Sequence, residues 1–317
     1  MRGRRGGWGR GGTVALLLLA VPAVAAEQRR VPSFGVDVEL VSLNLAASDV
    51  HGRGLTDLGE AEVQVFEDGV RQQISLFARE RWPINLAVLI DSSNSMSLKL
   101  PFAQAAALRL LRTLGPDDRA LVAQFDRHLT ILQDYTSDQA ALEAAVRSIQ
   151  IGGDTALNTA LYVGLKGLAS QQAKGELSRQ ALVVLTDGAD TASAVSEDQV
   201  LEEAGTGAIN VYAIGVGDTV GPEKQPVDPS SQYFMSALAR ETGGRAFFPR
   251  SLSDLNGVYD GIAQELRTLY GVAYVPSNVR RDGAWRQITV RSLRPSVLLR
   301  HRTGYYAPRS PLLARGD

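Results

Sequence analysis

The carboxylate of Asp91 and the hydroxyls of Ser93 and Ser95 are spaced as D-x-S-x-S in Asp91-Ser92-Ser93-Asn94-Ser95, directly after the apolar run Ile84-Asn85-Leu86-Ala87-Val88-Leu89-Ile90. A short run rich in Leu, Ile and Val without alternation predicts a fully buried central strand, so the three oxygen-bearing side chains gather in the turn at its carboxyl end. All three are hard donors. With no Cys or His beside them they suit Mg²⁺, or another hard divalent ion such as Mn²⁺ or Ca²⁺, better than zinc. Taken alone, the same five residues also fit a helix-capping turn.

Two distant segments bear on the choice. Gly152-Gly153-Asp154-Thr155 precedes a stretch in which Leu157, Leu161, Leu165 and Leu168 follow the helical period. Ala181-Leu182-Val183-Val184-Leu185 predicts a second buried strand, and it ends in Thr186-Asp187-Gly188. An open α/β sheet collects the carboxyl ends of its strands and the following loops at one edge, where ligands bind. The expected fold class is therefore α/β, a doubly wound, mostly parallel, Rossmann-like sheet.

In this order, D-x-S-x-S, G-G-x-T and T-D-G resemble the metal-ion-dependent adhesion site of von Willebrand factor A domains. The resemblance implies Ser93, Ser95 and Thr155 as hydroxyl ligands to the ion, with Asp91 and Asp187 acting directly or through bound water. Asp154 falls at a variable position of the motif and receives no role. In that family a change of contact by the second aspartate is coupled to movement of the last helix, a place taken here by Leu252 to Leu266. Val65-Phe66-Glu67-Asp68-Gly69-Val70-Arg71-Gln72-Gln73-Ile74 and Arg302-Thr303-Gly304-Tyr305-Tyr306-Ala307-Pro308 further resemble the flanks of a bacterial group of secreted proteins related to these domains.

The flanks read as β-rich. Val36, Val38 and Leu40 alternate in one register and Val41, Leu43 and Leu45 in the other, which predicts a bulge near Leu40-Val41. Val63, Val65 and then Ile74, Leu76 surround Glu67-Asp68-Gly69, a hairpin signal. Thr268 to Val275, Gln287 to Val290 and Ser296 to Leu299 read as strands. Neither flank has enough apolar strands to close a core, so 33–80 and 269–307 are expected to form one small β-sandwich with the α/β region inserted. The expected division is 1–26 leader, 27–82 flank, 83–267 α/β domain, 268–307 flank and 308–317 tail.

Within the centre, Pro101 opens a helix with Phe102, Ala106, Leu110 and Leu114 on its apolar side, and its positive end faces the Asp91–Ser95 turn. Leu121 to Phe125 and Leu129 to Leu132 read as a hairpin, Val211 to Gly215 as a parallel strand, Tyr233 to Glu241 as a helix and Ala246 to Phe248 as a short strand. Gly217 to Gln232 is expected to be a loop on the ion's side of the sheet, either determining specificity or merely solvated.

With 317 residues, 44% hydrophobic and 21% charged, the chain can bury a sizeable core. Basic Met1-Arg2-Gly3-Arg4-Arg5, the apolar run Thr13 to Ala20 and small residues up to Ala26 predict a secretory leader and export to a periplasm or outside the cell. The run is too short for a stable membrane span. Residues 1–26 hold four arginines and no acid, so their removal shifts the net charge from −1 to −5. That balance argues against a nucleic-acid partner, which needs a basic face. There is no cysteine to carry a disulfide or a lipid.

Three hydroxyls and one or two carboxylates leave an octahedral Mg²⁺ at least one coordination position for water. A protein partner presenting Asp or Glu could take it. The expected function is thus an exported, non-catalytic binding module for adhesion or assembly. A metal-free structural scaffold is the alternative. A Mg²⁺-dependent phosphohydrolase needs a positioned base, and His51, His128 and His301 fall in the flanks or the hairpin, leaving Asp190 as the one extra acid, itself read as a solvated loop residue. The closing Arg315-Gly316-Asp317 matches an integrin-recognition tripeptide, a match short enough to arise by chance. The Asp317 side chain or terminal carboxylate is a further expected visitor to the ion of a neighbouring molecule.

Overall fold

The computed structural model describes residues 40–79, 82–172, 178–217 and 226–309. The first flank supplies β1 (Val41–Ser48), β2 (Val63–Glu67), β3 (Val70–Gln72) and β4 (Ile74–Ala78). The centre follows as β5 (Ile84–Asp91), α1 (Leu100–Leu111), β6 (Arg119–Phe125), β7 (Leu129–Thr136), α2 (Gln139–Arg147), α3 (Leu157–Gln172), β8 (Arg179–Thr186), α4 (Glu197–Ala204), β9 (Ile209–Gly215), α5 (Pro229–Thr242), β10 (Arg245–Phe247) and α6 (Leu255–Thr268). The second flank adds β11 (Tyr270–Tyr274), β12 (Trp285–Ser292), β13 (Leu298–Arg300) and β14 (Gly304–Tyr306).

Every residue of β5 and of β8 is buried, as a strand covered on both faces requires. The period of two divides β5 between two cores. Leu86, Val88 and Ile90 pack with Leu110 of α1, Leu142 of α2 and Ile262 of α6, whereas Ala87 and Leu89 pack with Leu161 of α3, Val200 of α4 and Leu238 of α5. Helices therefore cover both faces of a sheet ordered β10-β9-β8-β5-β6-β7 among the described residues. Its pairings are parallel except β6 with β7, as expected of a doubly wound fold. The Rossmann-like expectation is met.

Strands from both flanks combine in each of two further sheets, β13-β1-β11-β4 and β14-β12-β2-β3. They share a core that includes Leu43, Leu45, Val65, Val272, Tyr274 and Ile288. β1 alternates buried and half-buried positions, so one face of the strand meets that core. Hydrogen bonds tie these sheets to the centre, among them Asn44 Nδ2 to Asn210 Oδ1 at 2.7 Å and Thr303 N to Glu241 O at 3.0 Å.

Several local expectations need correction. β2 pairs with β3, not with the Ile74–Leu76 strand, across the two-residue turn Asp68-Gly69, where both residues have positive φ. β4 instead joins β11 in the other sheet. Glu67, read as part of the turn, is buried. Phe102 lies 47% exposed and Leu114 follows the end of α1, whose buried side is formed by Ala103, Ala106, Ala107, Leu108, Leu110 and Leu111. No helix was expected at α2 or α4, although Asp138 caps the first and a Ser196/Gln199 capping box opens the second. Pro229 to Gln232, read as loop, form the first turn of α5. The strand at Val36–Val38, residues 218–225, the leader and the Arg315-Gly316-Asp317 tail lie outside the described residues.

Candidate functional site

Asp91 ends β5 and is fully buried, with each carboxylate oxygen engaged. Ser93 N donates to Oδ1 at 2.8 Å and Thr186 Oγ1 donates to Oδ2 at 2.6 Å. Burial, reinforced by the negative charge of Asp187, nevertheless raises the Asp91 pKa above its ordinary value and outweighs these hydrogen bonds. The carboxylate is held by neutral donors.

The next loop carries the hydroxyls. Ser93 Oγ and Ser95 Oγ are 3.0 Å apart, and Ser95 Oγ donates to Asp187 Oδ1 at 2.8 Å. Asp187 follows β8, the parallel neighbour of β5, so both acids emerge at the same sheet edge. Its second oxygen, Oδ2, accepts from Lys99 Nζ at 2.6 Å, an ion pair in which both side chains are almost wholly buried.

Thr155 is placed by backbone hydrogen bonds. Gly152 N donates to Ser92 O at 2.8 Å and Asn94 N to Gly153 O at 3.2 Å, laying the 152–155 loop beside the serine loop. Thr191 N and Ala192 N donate to Thr155 O at 2.8 and 3.1 Å, fastening the loop after β8 on the other side. Gly153 has φ +68°, which favours glycine, and a Cβ there would also sit tightly, 3.2 Å, against the Asp126 side chain. Of the five predicted ligands, Ser93, Ser95 and Asp187 form a hydrogen-bonded chain, Asp91 adjoins it through Ser93 N, and buried Thr155 lies on the loop sewn to both.

Three residues of this region escaped the sequence reading of the site. Lys99 stands between Leu98 and Leu100, and a lone cation inside an apolar stretch is the available signal. Thr186 was noted as part of T-D-G without a role. Asp190, read as solvated, accepts from Asn158 N at 3.2 Å and so caps α3 in company with Ser193, whose hydroxyl accepts from Thr159 N at 2.9 Å. Asp154 pairs with Arg127 on the exposed rim. Leu98, 63% exposed, and Phe102, 47% exposed, follow the serine loop in the chain on either side of buried Lys99.

By type the donors, three hydroxyls and two carboxylates without histidine or cysteine, suit a hard divalent ion, and of these Ser93, Ser95 and Asp187 are in mutual hydrogen-bond contact. Among the described residues no group of three or more His, Cys, Asp or Glu is gathered as a metal cage, so the hydroxyls are indispensable to any such site. None of the histidines belongs to it. His51 sits in the Asp49 turn, His128 in the β6–β7 turn, and His301 Nε2 accepts from Val290 N in the flank sheets.

Comparison with known proteins agrees with this architecture. A protein of Synechocystis described as uncharacterized is 32% identical over 146 residues, covering 44% of this chain and 33% of its own length. A UPF0353 protein of Mycobacterium marinum is 26% identical over 217 residues, 59% of this chain and 62% of the relative. The chain thus spans less than two thirds of either. A von Willebrand factor type A structure from Catenulispora acidiphila superposes with a TM-score of 0.50 at 12% identity, over 86% of this chain and 64% of that one, and shows the shared fold. The family model described as von Willebrand factor type A domain matches residues 85–260, more than half of the chain, which therefore belongs to that family.

Proposed function

We propose that the α/β domain, residues 83–267, is a non-catalytic binding module in which Asp91, Ser93, Ser95, Thr155 and Asp187 hold Mg²⁺, Mn²⁺ or Ca²⁺ as a metal-ion-dependent adhesion site. The observation that carries the reading is the hydrogen-bonded chain Ser93–Ser95–Asp187 at the adjoining carboxyl ends of β5 and β8. Bound there, the ion supplies a Lewis-acidic position for a carboxylate oxygen of a protein partner. The residues of this chain present and orient that position, and exposed Leu98 and Phe102 offer apolar contact beside it. The leader at 1–26 directs export, and the flanks 27–82 and 268–307 support the module. Among the described residues no helix is long and apolar enough to cross a membrane.

A second reading has its own observation. Lys99 satisfies one Asp187 oxygen and Ser95 the other, so Asp187 is already paired within the loops and supports a scaffold without any ion. Thermal unfolding in chelator and then in each of the three ions separates the two. An ion that binds only the folded chain adds about 2.7 kcal/mol at a hundredfold excess over its Kd. The binding module predicts this gain for the wild type and its loss in Ser95→Ala. An unresponsive wild type, silent also in calorimetry, leaves the scaffold.

A further inference from the structure

We propose that Lys99 tunes the electrostatics of the site, weakening its hold on the divalent ion while leaving the ion more attractive to an acidic ligand. The inference rests on the metal-site reading above and assigns a determinant of affinity within it. Lys99 lies four residues beyond Ser95 on the same loop. Its backbone N–H donates to Met96 O at 2.8 Å, and its carbonyl accepts from Phe102 N and Ala103 N at 3.0 and 3.1 Å, which fixes it at the start of α1. The side chain is 5% exposed and reaches Asp187 Oδ2, while Asp187 Oδ1 faces Ser95.

A buried ammonium requires a charged or strongly polar partner, and this pair commits one oxygen of the second acid to a cation held by the loop itself. Asp91 and Asp187 carry two negative charges and Lys99 returns one. A dication entering the group therefore retains net positive charge, which a partner's carboxylate can neutralise. Without Lys99 the two carboxylates would balance the ion, so metal would bind more tightly and the carboxylate ligand more weakly. A residue that serves only to support the loop has no reason to move the two affinities in opposite directions.

The test is calorimetric titration of the full chain and its variants with Mn²⁺, followed by titration of the Mn²⁺-loaded proteins with glutarate as a carboxylate probe. Removal of one positive charge near a dication, even at the screening of bulk water, predicts Mn²⁺ binding tightened by about tenfold in Lys99→Met and Lys99→Gln. Glutarate binding weakens in both, and Lys99→Arg, which keeps the charge, stays close to wild type. Lys99→Gln can still hydrogen-bond Asp187 and carries the test should Lys99→Met fail to fold. A wild type that binds Mn²⁺ while both neutral variants bind it no tighter overturns the inference alone, as does an arginine variant that tightens equally. A wild type that binds no divalent ion overturns the site reading and this inference with it.

Discussion

Two buried carboxylates, Glu67 in the flank sheets and Asp187 at the edge of the central sheet, meet opposite surroundings. Glu67 Oε2 accepts from Tyr274 Oη at 2.8 Å and Tyr305 Oη at 3.0 Å, linking the last residue of β2 to β11 and β14. Burial, followed by the carboxylate itself, raises the Tyr274 phenol and keeps it a donor. Asp187 has a serine and an ammonium instead, on loops that end at the rim. A carboxylate bonded to rigid phenols between strands works as a structural joint. One bonded to an exposed serine hydroxyl is able to exchange that partner. Burial alone therefore says little about role; the partners and their freedom to move decide it.

The largest expected effect breaks the joint. Glu67→Ala removes the acceptor shared by the Tyr274 and Tyr305 phenols and should cost about 3 kcal/mol in denaturant unfolding, with the affinity for divalent ions unchanged. A linked loss of ion binding would mean that the two regions are not independent. Asp91→Ala should abolish the ion-dependent gain of about 2.7 kcal/mol while leaving the flank sheets intact, measured by melting in Mg²⁺ against chelator. Asp190→Ala should cost about 1 kcal/mol through loss of a cap on α3. Because that cap holds the loop after β8, ion affinity should weaken with it; a pure stability loss would separate the loop from the site.

The smallest effect is in pH dependence, where the two regions carry opposite signs. Burial lowers the His301 pKa, so below the ordinary value of 6.5 the unfolded chain takes up more protons than the folded one. Its contribution to stability is complete above 6.5 and declines as pH falls through the folded value. Burial raises Asp91, so in chelator its contribution is most favourable below 3.8 and declines as pH rises through the folded value. Melting curves from pH 7 to 5 should fall less steeply in His301→Gln than in the wild type. Equal slopes would remove His301 from the account.

Much of the central fold was legible because burial on two faces imposes continuous apolar runs, as in Ile84 to Ile90, and because helices repeat their apolar residues every three to four positions, as from Leu157 to Leu168. The flanks were legible as strands but not as pairings. β2 and β4 are joined by only a few residues yet enter different sheets, and a period of two carries no label for the partner. Phe102 fits the apolar spacing of α1 yet lies 47% exposed, because spacing alone does not say how wide a face the neighbours will cover. The capped helices α2 and α4 had readable start signals; both are short, and neither displays a long apolar repeat.

By itself the sequence determined the donor types, their order and the strand ends that carry them, because these follow from local composition and hydrophobic period. Only the tertiary structure decided the partners. Lys99 meets Asp187 across 88 residues, Thr186 meets Asp91 across 95, and Tyr274 meets Glu67 across 207. Hydrogen bonds and ion pairs act over a few ångströms. Which groups come within that reach is set by strand order and loop packing, and neither is written in the spacing of residues along the chain.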